Sequence, residues 1–100
     1  MKTQTSPTAG AEDPAAALKR RLKRFLRGRE ESKDIKGIDV RLGDDSLGDP
    51  AVFIAFIVDD DVDPPPKKVE RLRGLAYSVT TSALQWDPTR WPYVEFRSSS

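Results

Sequence analysis

An uninterrupted apolar run of eight residues, Ala51 to Val58, is the feature that most constrains the fold of this chain. It is far shorter than the ~20 apolar residues that a membrane-spanning helix needs. A strand that is apolar at every position is typical of a central strand that is covered on both faces. We therefore predict a central strand over 51–58. One of its faces carries Val52, Ile54, Phe56 and Val58, and the other carries Ala51, Phe53, Ala55 and Ile57.

The segment before this run contains the patterns of one helix and one strand. Asp13 is a good N-cap, and Pro14 suits the first position of a helix. Apolar residues then recur at helical spacing until Gly28 ends the helix; they are Leu18, Leu22, Phe25 and Leu26. Three apolar residues alternate with charged ones and predict a strand with one buried face; they are Ile38, Val40 and Leu42. The turn-rich residues 43–50 are expected to form a hairpin loop.

The segment after the run predicts a second helix and a last strand. Asp63 is expected to cap this helix, with the prolines at 64–66 at its start. Its apolar residues recur at three- and four-residue spacing, with Leu75 beside them; they are Val69, Leu72, Ala76, Val79 and Ala83. An interior glycine, Gly74, predicts a kink or a close contact. Residues 93–97 predict a short strand.

The order of these elements is helix, strand, strand, helix, strand, which defines an α+β fold. The first two strands form an antiparallel hairpin, and the second helix is the crossover to the third strand. We predict a two-layer sandwich in which both helices cover one face of a three-stranded mixed sheet. Phe56 and Leu72 are expected in the core between the layers. The domain is expected to span residues 14–97, between a disordered tail at 1–13 and a disordered end at 98–100.

The composition argues against most kinds of catalytic and metal site. The chain has 100 residues and neither Cys nor His, which removes thiolate and imidazole chemistry. Four acidic residues have the spacing of calcium ligands in an EF-hand loop, but Pro64 stands where that loop needs Gly; they are Asp59, Asp61, Asp63 and Glu70. We therefore predict no metal, no cofactor, no small-molecule substrate and no enzymatic activity. The sequence has no apolar segment typical of a secretory signal or a membrane span, which predicts a small soluble cytoplasmic protein.

Charged residues are unevenly distributed, although they sum to a net charge of +1. Residues 14–29 contain seven basic residues and no acidic one, whereas residues 30–63 contain eleven acidic residues and three basic ones. The first helix is therefore a candidate surface for the phosphates of RNA or DNA. Its candidate contacts are Lys19, Arg20, Lys23, Arg24 and Arg27. The alternative is a solvated helix whose charges are balanced by the acidic loops of the same chain.

The face of the central strand that the helices leave open is a second candidate surface. Its neighbours on the outer strands are charged; they are Asp39, Arg41, Glu95 and Arg97. Phe53, Ile57 and Tyr93 are thus expected to form an apolar stripe that binds a protein partner or a second copy of the chain. The alternatives are that the basic first helix covers this face or that a few exposed apolar groups are tolerated. Trp86 and Trp91 flank the last loop and are expected to pack at the edge of the core, with nucleobase stacking as the alternative.

The last strand carries the pattern Pro92-x-Val94-x-Phe96, and the helix before it contains an internal glycine. Together with the order of elements over residues 14–97, this ending resembles bacterial ribosome-binding factor A, a variant of the type II KH fold. The chain has Leu72-Arg73-Gly74 where that family has an Ala-x-Gly kink, and it lacks the Gly-x-x-Gly clamp of KH domains proper. The resemblance implies a KH-like fold and binding to structured RNA or the ribosome.

Two functions are compatible with these patterns. The first is a non-catalytic protein-interaction module that uses Phe53, Ile57 and Tyr93. Such a module would be the small subunit of a two-component complex, an antitoxin-like protein or a homodimer. The second is RNA or ribosome binding through the basic first helix. Salt separates the two, because phosphate binding weakens steeply with salt while burial of apolar area does not.

Overall fold

The computed structural model describes residues 13–59 and 64–99. The elements in chain order are helix α1 (Pro14–Leu26), a 3-10 turn (Glu30–Asp34), strands β1 (Ile35–Asp44) and β2 (Pro50–Val58), helix α2 (Pro66–Trp86) and strand β3 (Trp91–Ser98). This is the predicted order, with a 3-10 turn added before β1. The predicted tail lies outside the described residues except for Asp13, and so does Asp63. Neither helix of the described residues is long and apolar enough to cross a membrane.

The three strands form one mixed sheet in the order β1-β2-β3. Strand β1 is antiparallel to β2, and β3 is parallel to β2. The register aligns Val40, Ile54 and Val94 in one row across the sheet. Side chains two residues apart on a strand point to the same side, so this row fixes which residues share each face.

Both helices cover the face that Ile54 helps to form. The buried residues of the helices and of this face make one apolar cluster; they are Leu22, Leu26, Ile38, Val52, Ile54, Phe56, Leu75, Val79 and Ala83. Helix α1 contacts β1, and α2 contacts β3. The predicted α+β sandwich is therefore confirmed, with Phe56 fully buried between the layers.

Helix α1 begins and ends where the sequence predicts. The Asp13 carboxylate accepts a hydrogen bond from the backbone N–H of Ala15 at 3.3 Å. Pro14 occupies the first turn, where a missing N–H costs nothing because that donor has no partner inside the helix. Gly28 has a φ of 83°, a left-handed conformation that glycine adopts without strain.

The buried face of α2 is rotated from the one that the spacing of apolar residues predicts. Leu75 is fully buried and faces the core, whereas Leu72 is half-buried and Val69 is 36% exposed. The prediction that Leu72 lies in the core is therefore wrong. Helix α2 lies over the edge strand β3, so Leu72 and Val69 face the rim of the sheet, where they line a groove beside Phe96. The helix also begins at Pro66 with no side-chain cap.

Gly74 lies in a continuous helix and is exposed. Within residues 13–59 and 64–99, and apart from the helix's own adjoining backbone, no atom lies within 4 Å of the place that a Cβ would occupy, so the predicted close contact is absent from these residues. Gly74→Ala is expected to stabilise the protein by about 0.5–1 kcal/mol, because glycine loses more backbone entropy in a helix. A thermal melt should show this as a rise of Tm by about 2–8 °C. Gly28→Ala is the control and should lower Tm, because Gly28 has a positive φ.

The sheet continues beyond the predicted last strand. Ser98, the last residue of β3, pairs with Val58 of β2. The backbone N–H of Ser99 donates to the carbonyl oxygen of Val58 at 2.9 Å. The sequence places Ser98 and Ser99 in a disordered end, because serine adds no apolar area. Strand pairing depends on backbone hydrogen bonds and not on apolar side chains. The backbone of β2 supplies the partner groups for these serines.

Candidate functional site

The face of the sheet that the helices do not cover, called here the outer face, is the candidate binding site. Its four rows across the sheet are Gly43–Ala51–Trp91, Arg41–Phe53–Tyr93, Asp39–Ala55–Glu95 and Gly37–Ile57–Arg97. Each row alternates with a row of the core face. The four charged residues of β1 and β3 that the sequence places here are exposed, as predicted.

An aromatic stack occupies the middle of the outer face. The rings of Phe53 and Tyr93 are 5.5 Å apart with an angle of 16° between their planes. The guanidinium of Arg41 lies 4.3 Å from the centre of the Phe53 ring on its other flank. Phe53 is half-buried by these neighbours, while Tyr93 remains 42% exposed. Two of the three predicted stripe residues are thus in contact.

The third predicted residue, Ile57, extends the apolar surface instead of joining the stack. It lies four residues further along β2, with Ala55 between it and Phe53. Gly37 leaves room beside it, since a Cβ at Gly37 would lie 3.5 Å from the Ile57 side chain. A depression of about 110 Å³ lies beside Phe53 and is lined also by Ala55, Glu95 and Arg97.

Exposed ion pairs border the apolar part of the outer face. Arg97 donates from Nη1 to Oδ2 of Asp39 at 3.5 Å and from Nε to Oε2 of Glu95 at 3.2 Å. Pairs that are this exposed add little to stability. With Arg41 included, the face carries two cationic and two anionic side chains, so it offers no excess of either charge to a ligand.

A hydrogen bond ties the hairpin loop to the outer face. The Tyr93 hydroxyl donates to Oδ2 of Asp45 at 3.0 Å, and Oδ1 of Asp45 accepts from the backbone N–H groups of Leu47 and Asp49. The Asp49 N–H is the main cause that lowers the pKa of Asp45, and the bond to Asp45 raises the pKa of Tyr93. The Asp45 carboxylate is therefore engaged by the protein itself. No cluster of acidic residues that could hold a metal ion occurs in the described segments.

Asp45→Asn is expected to lower the pKa of Tyr93 towards its ordinary value of 10.0, because a neutral acceptor favours the protonated phenol less. In the unchanged protein, this bond stabilises the fold fully below pH 10 and is lost as the pH rises through the raised pKa of Tyr93. The Asp45 contribution has the opposite sign: it is present above pH 3.8 and lost as the pH falls through the lowered pKa.

Ultraviolet titration of phenolate in a Tyr77→Phe background measures this shift, because Tyr93 is then the only tyrosine. Asp44→Asn is the matched control: Asp44 is the neighbouring acidic residue and has no bond to Tyr93. A Tyr93 titration that is the same in both variants would contradict the Asp45 assignment.

The basic surface of α1 lies on the other side of the molecule from the outer face. At 3.6 residues per turn, its five candidate contacts span about 140° of the helix; they are Lys19, Arg20, Lys23, Arg24 and Arg27. Within residues 13–59 and 64–99, Lys23, Arg24 and Arg27 form no ion pair. Acidic residues that the sequence offers as their partners bind other cations; these pairs are Glu31–Arg29, Asp34–Arg71 and Asp59–Lys36.

The two tryptophans have different environments. Trp86 is the last residue of α2 and packs edge-on against Phe25, with ring centres 5.9 Å apart and the Arg21 guanidinium over its other side. It closes one end of the core, as predicted. Trp91 instead begins β3 on the outer face and is 51% exposed, so its predicted packing at the core edge is wrong.

A small α+β module with one open, aromatic sheet face is the class of protein that this geometry defines. Comparison of the chain with models of protein families, with curated proteins and with solved structures finds no match. The resemblance to ribosome-binding factor A stays a prediction.

Proposed function

We propose that this protein is a non-catalytic interaction module that binds a protein partner through the outer face of its sheet. The observation that carries the proposal is the stack of Arg41, Phe53 and Tyr93, with Trp91 exposed beside it. These residues stand on the side of the sheet that neither α1 nor α2 covers. Aromatic residues and arginine are the types that concentrate binding energy in protein interfaces.

The charge of the outer face favours a protein over a nucleic acid. Its two cations and two anions surround a central apolar strip, which is the usual anatomy of a protein interface with an apolar centre and a polar rim. A phosphate-binding surface would need an excess of cations. Asp39 and Glu95 oppose such an excess here, because they flank the depression over Ala55.

Site-specific photo-cross-linking tests the proposal. A photoreactive amino acid at Tyr93 should give discrete protein adducts in the lysate of the organism that encodes the chain. The same group at Tyr77, which is 73% exposed on α2, is the matched control and should not give them. A larger subunit, a basic toxin-like protein and a second copy of the chain are distinguished by the adduct mass. Absence of any adduct specific to Tyr93 would refute the proposal.

RNA binding by the basic surface of α1 is the second candidate. The observation that favours it is the absence of ion pairs at Lys23, Arg24 and Arg27 within the described residues. Cations without protein partners are available to phosphates, and each phosphate contact adds to the salt dependence of binding. The resemblance to ribosome-binding factor A implies the same kind of ligand.

Reversal of these three charges to glutamate is expected to abolish binding to a fluorescent hairpin RNA, if α1 binds RNA. In the unchanged protein, log K against log salt should have a slope of about −2 or steeper, since three phosphates are engaged. Lys67→Glu with Arg73→Glu on α2 is the control and should have little effect. Affinity that is independent of salt, or equal in both variants, would exclude α1 as the RNA surface.

A further inference from the structure

We propose that the partner of the outer face is a second copy of this chain, packed face to face about a two-fold axis. The axis lies between the two sheets and crosses the strands at the level of the Val40–Ile54–Val94 row. This inference rests on the proposed function, because it names the partner that the outer face binds. It follows from the order of side chains along each strand, which such an axis reverses.

The central strand supplies the first argument, because small and large residues alternate on its outer side. They are Ala51, Phe53, Ala55 and Ile57 in order. Rotation about an axis at Ile54 places Phe53 over the partner's Ala55 and Ile57 over the partner's Ala51. Ala51 and Ala55 are buried in the single chain, so each large side chain lies over a low position of the partner's face and not over another large side chain, which suits the usual separation of about 10 Å between packed sheets.

The charges on β1 supply the second argument. Asp39 and Arg41 lie on either side of Val40, so the same axis places Arg41 of each protomer opposite the partner's Asp39. The dimer contains this pair twice, once on each side of the axis. Opposite charges across an interface fix its register and orientation.

The third strand is compatible with the same axis. It places the ring of Tyr93, whose hydroxyl donates to Asp45, opposite the partner's Glu95. It also places Trp91 opposite the partner's Arg97, the arrangement of a cation–π contact. No like charges meet in any row of this arrangement.

The other face-to-face axis, which runs parallel to the strands, is unfavourable. It would place Phe53 over the partner's Phe53 and leave Ala55 over the partner's Ala55, so large residues would meet large ones and small residues small ones. It would also place Asp39 opposite the partner's Glu95. Like charges in apposition cost affinity, and the crossing axis avoids this cost.

The size of the outer face sets the strength of the dimer. Three strands of about nine residues cover roughly 400 Å² per protomer from standard strand dimensions, or about 800 Å² in total. That area is below the range of standard stable interfaces, which begins at about 1,200 Å². We therefore expect a reversible dimer with a dissociation constant in the micromolar range, not a permanent one.

A charge exchange between two variants tests this arrangement. Arg41→Asp brings two aspartates together across the axis, and Asp39→Arg brings two arginines together. Each variant alone should raise the dissociation constant of the dimer by at least about tenfold. An equimolar mixture of the two should dimerise again, because each protomer then faces opposite charges. Sedimentation velocity over a concentration series measures all three cases, and circular dichroism verifies that both variants are folded.

The outcomes distinguish failure of the dimer proposal from failure of the proposed function. The two-fold arrangement is supported if dimers form in the mixture but not in either variant alone. A wild type that stays monomeric at every concentration, or a mixture that stays monomeric while the wild type dimerises, overturns it. The proposed function survives either of these failures if the group at Tyr93 still cross-links to another protein, and it fails with the dimer if no adduct forms.

Discussion

Phe56→Ala is expected to lower the free energy of unfolding by about 3–5 kcal/mol. Phe56 is fully buried at the centre of the core, and its ring stacks on Phe96 with centres 5.8 Å apart. The shortened side chain leaves a cavity that helices on one side and β2 on the other cannot close without shifting. The free energy of unfolding of domains of this size is about 5–15 kcal/mol, so the loss removes a large part of the stability. Urea denaturation followed by circular dichroism measures it.

Phe56→Leu is the matched control for this prediction. It keeps most of the apolar volume, and its cost should be smaller than that of Phe56→Ala, within about 1.5 kcal/mol if the core repacks well. Equal denaturation midpoints for the wild type and Phe56→Ala would show that the two layers do not pack through this residue. The assignment of the core face would then be wrong, and with it the position of the outer face.

Phe53→Lys is expected to abolish partner binding through the outer face while leaving the fold intact. Phe53 is only half-buried and does not belong to the core cluster, so its loss affects the core little. The new ammonium removes the ring that stacks on Tyr93 and places a second cation beside Arg41. Adducts of the photoreactive group at Tyr93 should therefore disappear, and the dimer should dissociate.

The loss should be similar at low and moderate salt, because burial of apolar area is not screened as charges are. Tyr77→Lys adds the same charge on the exposed side of α2 and should leave both readouts unchanged. Adducts that persist in Phe53→Lys would place the binding surface elsewhere. A melting point far below that of Tyr77→Lys would show instead that Phe53 has a structural role.

Periodicity predicts the faces of the strands well and the face of α2 poorly. A strand has only two sides, so alternation at Ile38, Val40 and Leu42 fixes which side of the sheet is buried. A helix can rotate continuously, and its position over the sheet selects which line of residues becomes buried. Over an edge strand, that line runs through Leu75, while Leu72 points to the rim. This position depends on tertiary packing, which the sequence pattern does not contain.

The candidate site is only partly readable from the sequence for a related reason. Phe53 and Tyr93 follow from strand alternation and from the parallel pairing of β2 with β3. Trp91 has the same parity as Tyr93, so extension of β3 by two residues would have placed it on the outer face. Arg41 and Asp45 join the aromatic residues through contacts across strands. Predicting those contacts requires the register between neighbouring strands. The pattern within one segment of the chain does not contain that register.

The two-layer architecture also sets how many ligands one molecule can hold at once. Only the sheet separates the outer face from the helices, and the helices cover its other side. A protein bound at Phe53 therefore leaves the basic side of α1 open to solvent. The two proposed surfaces therefore do not compete for space, and occupation of one would leave the other accessible.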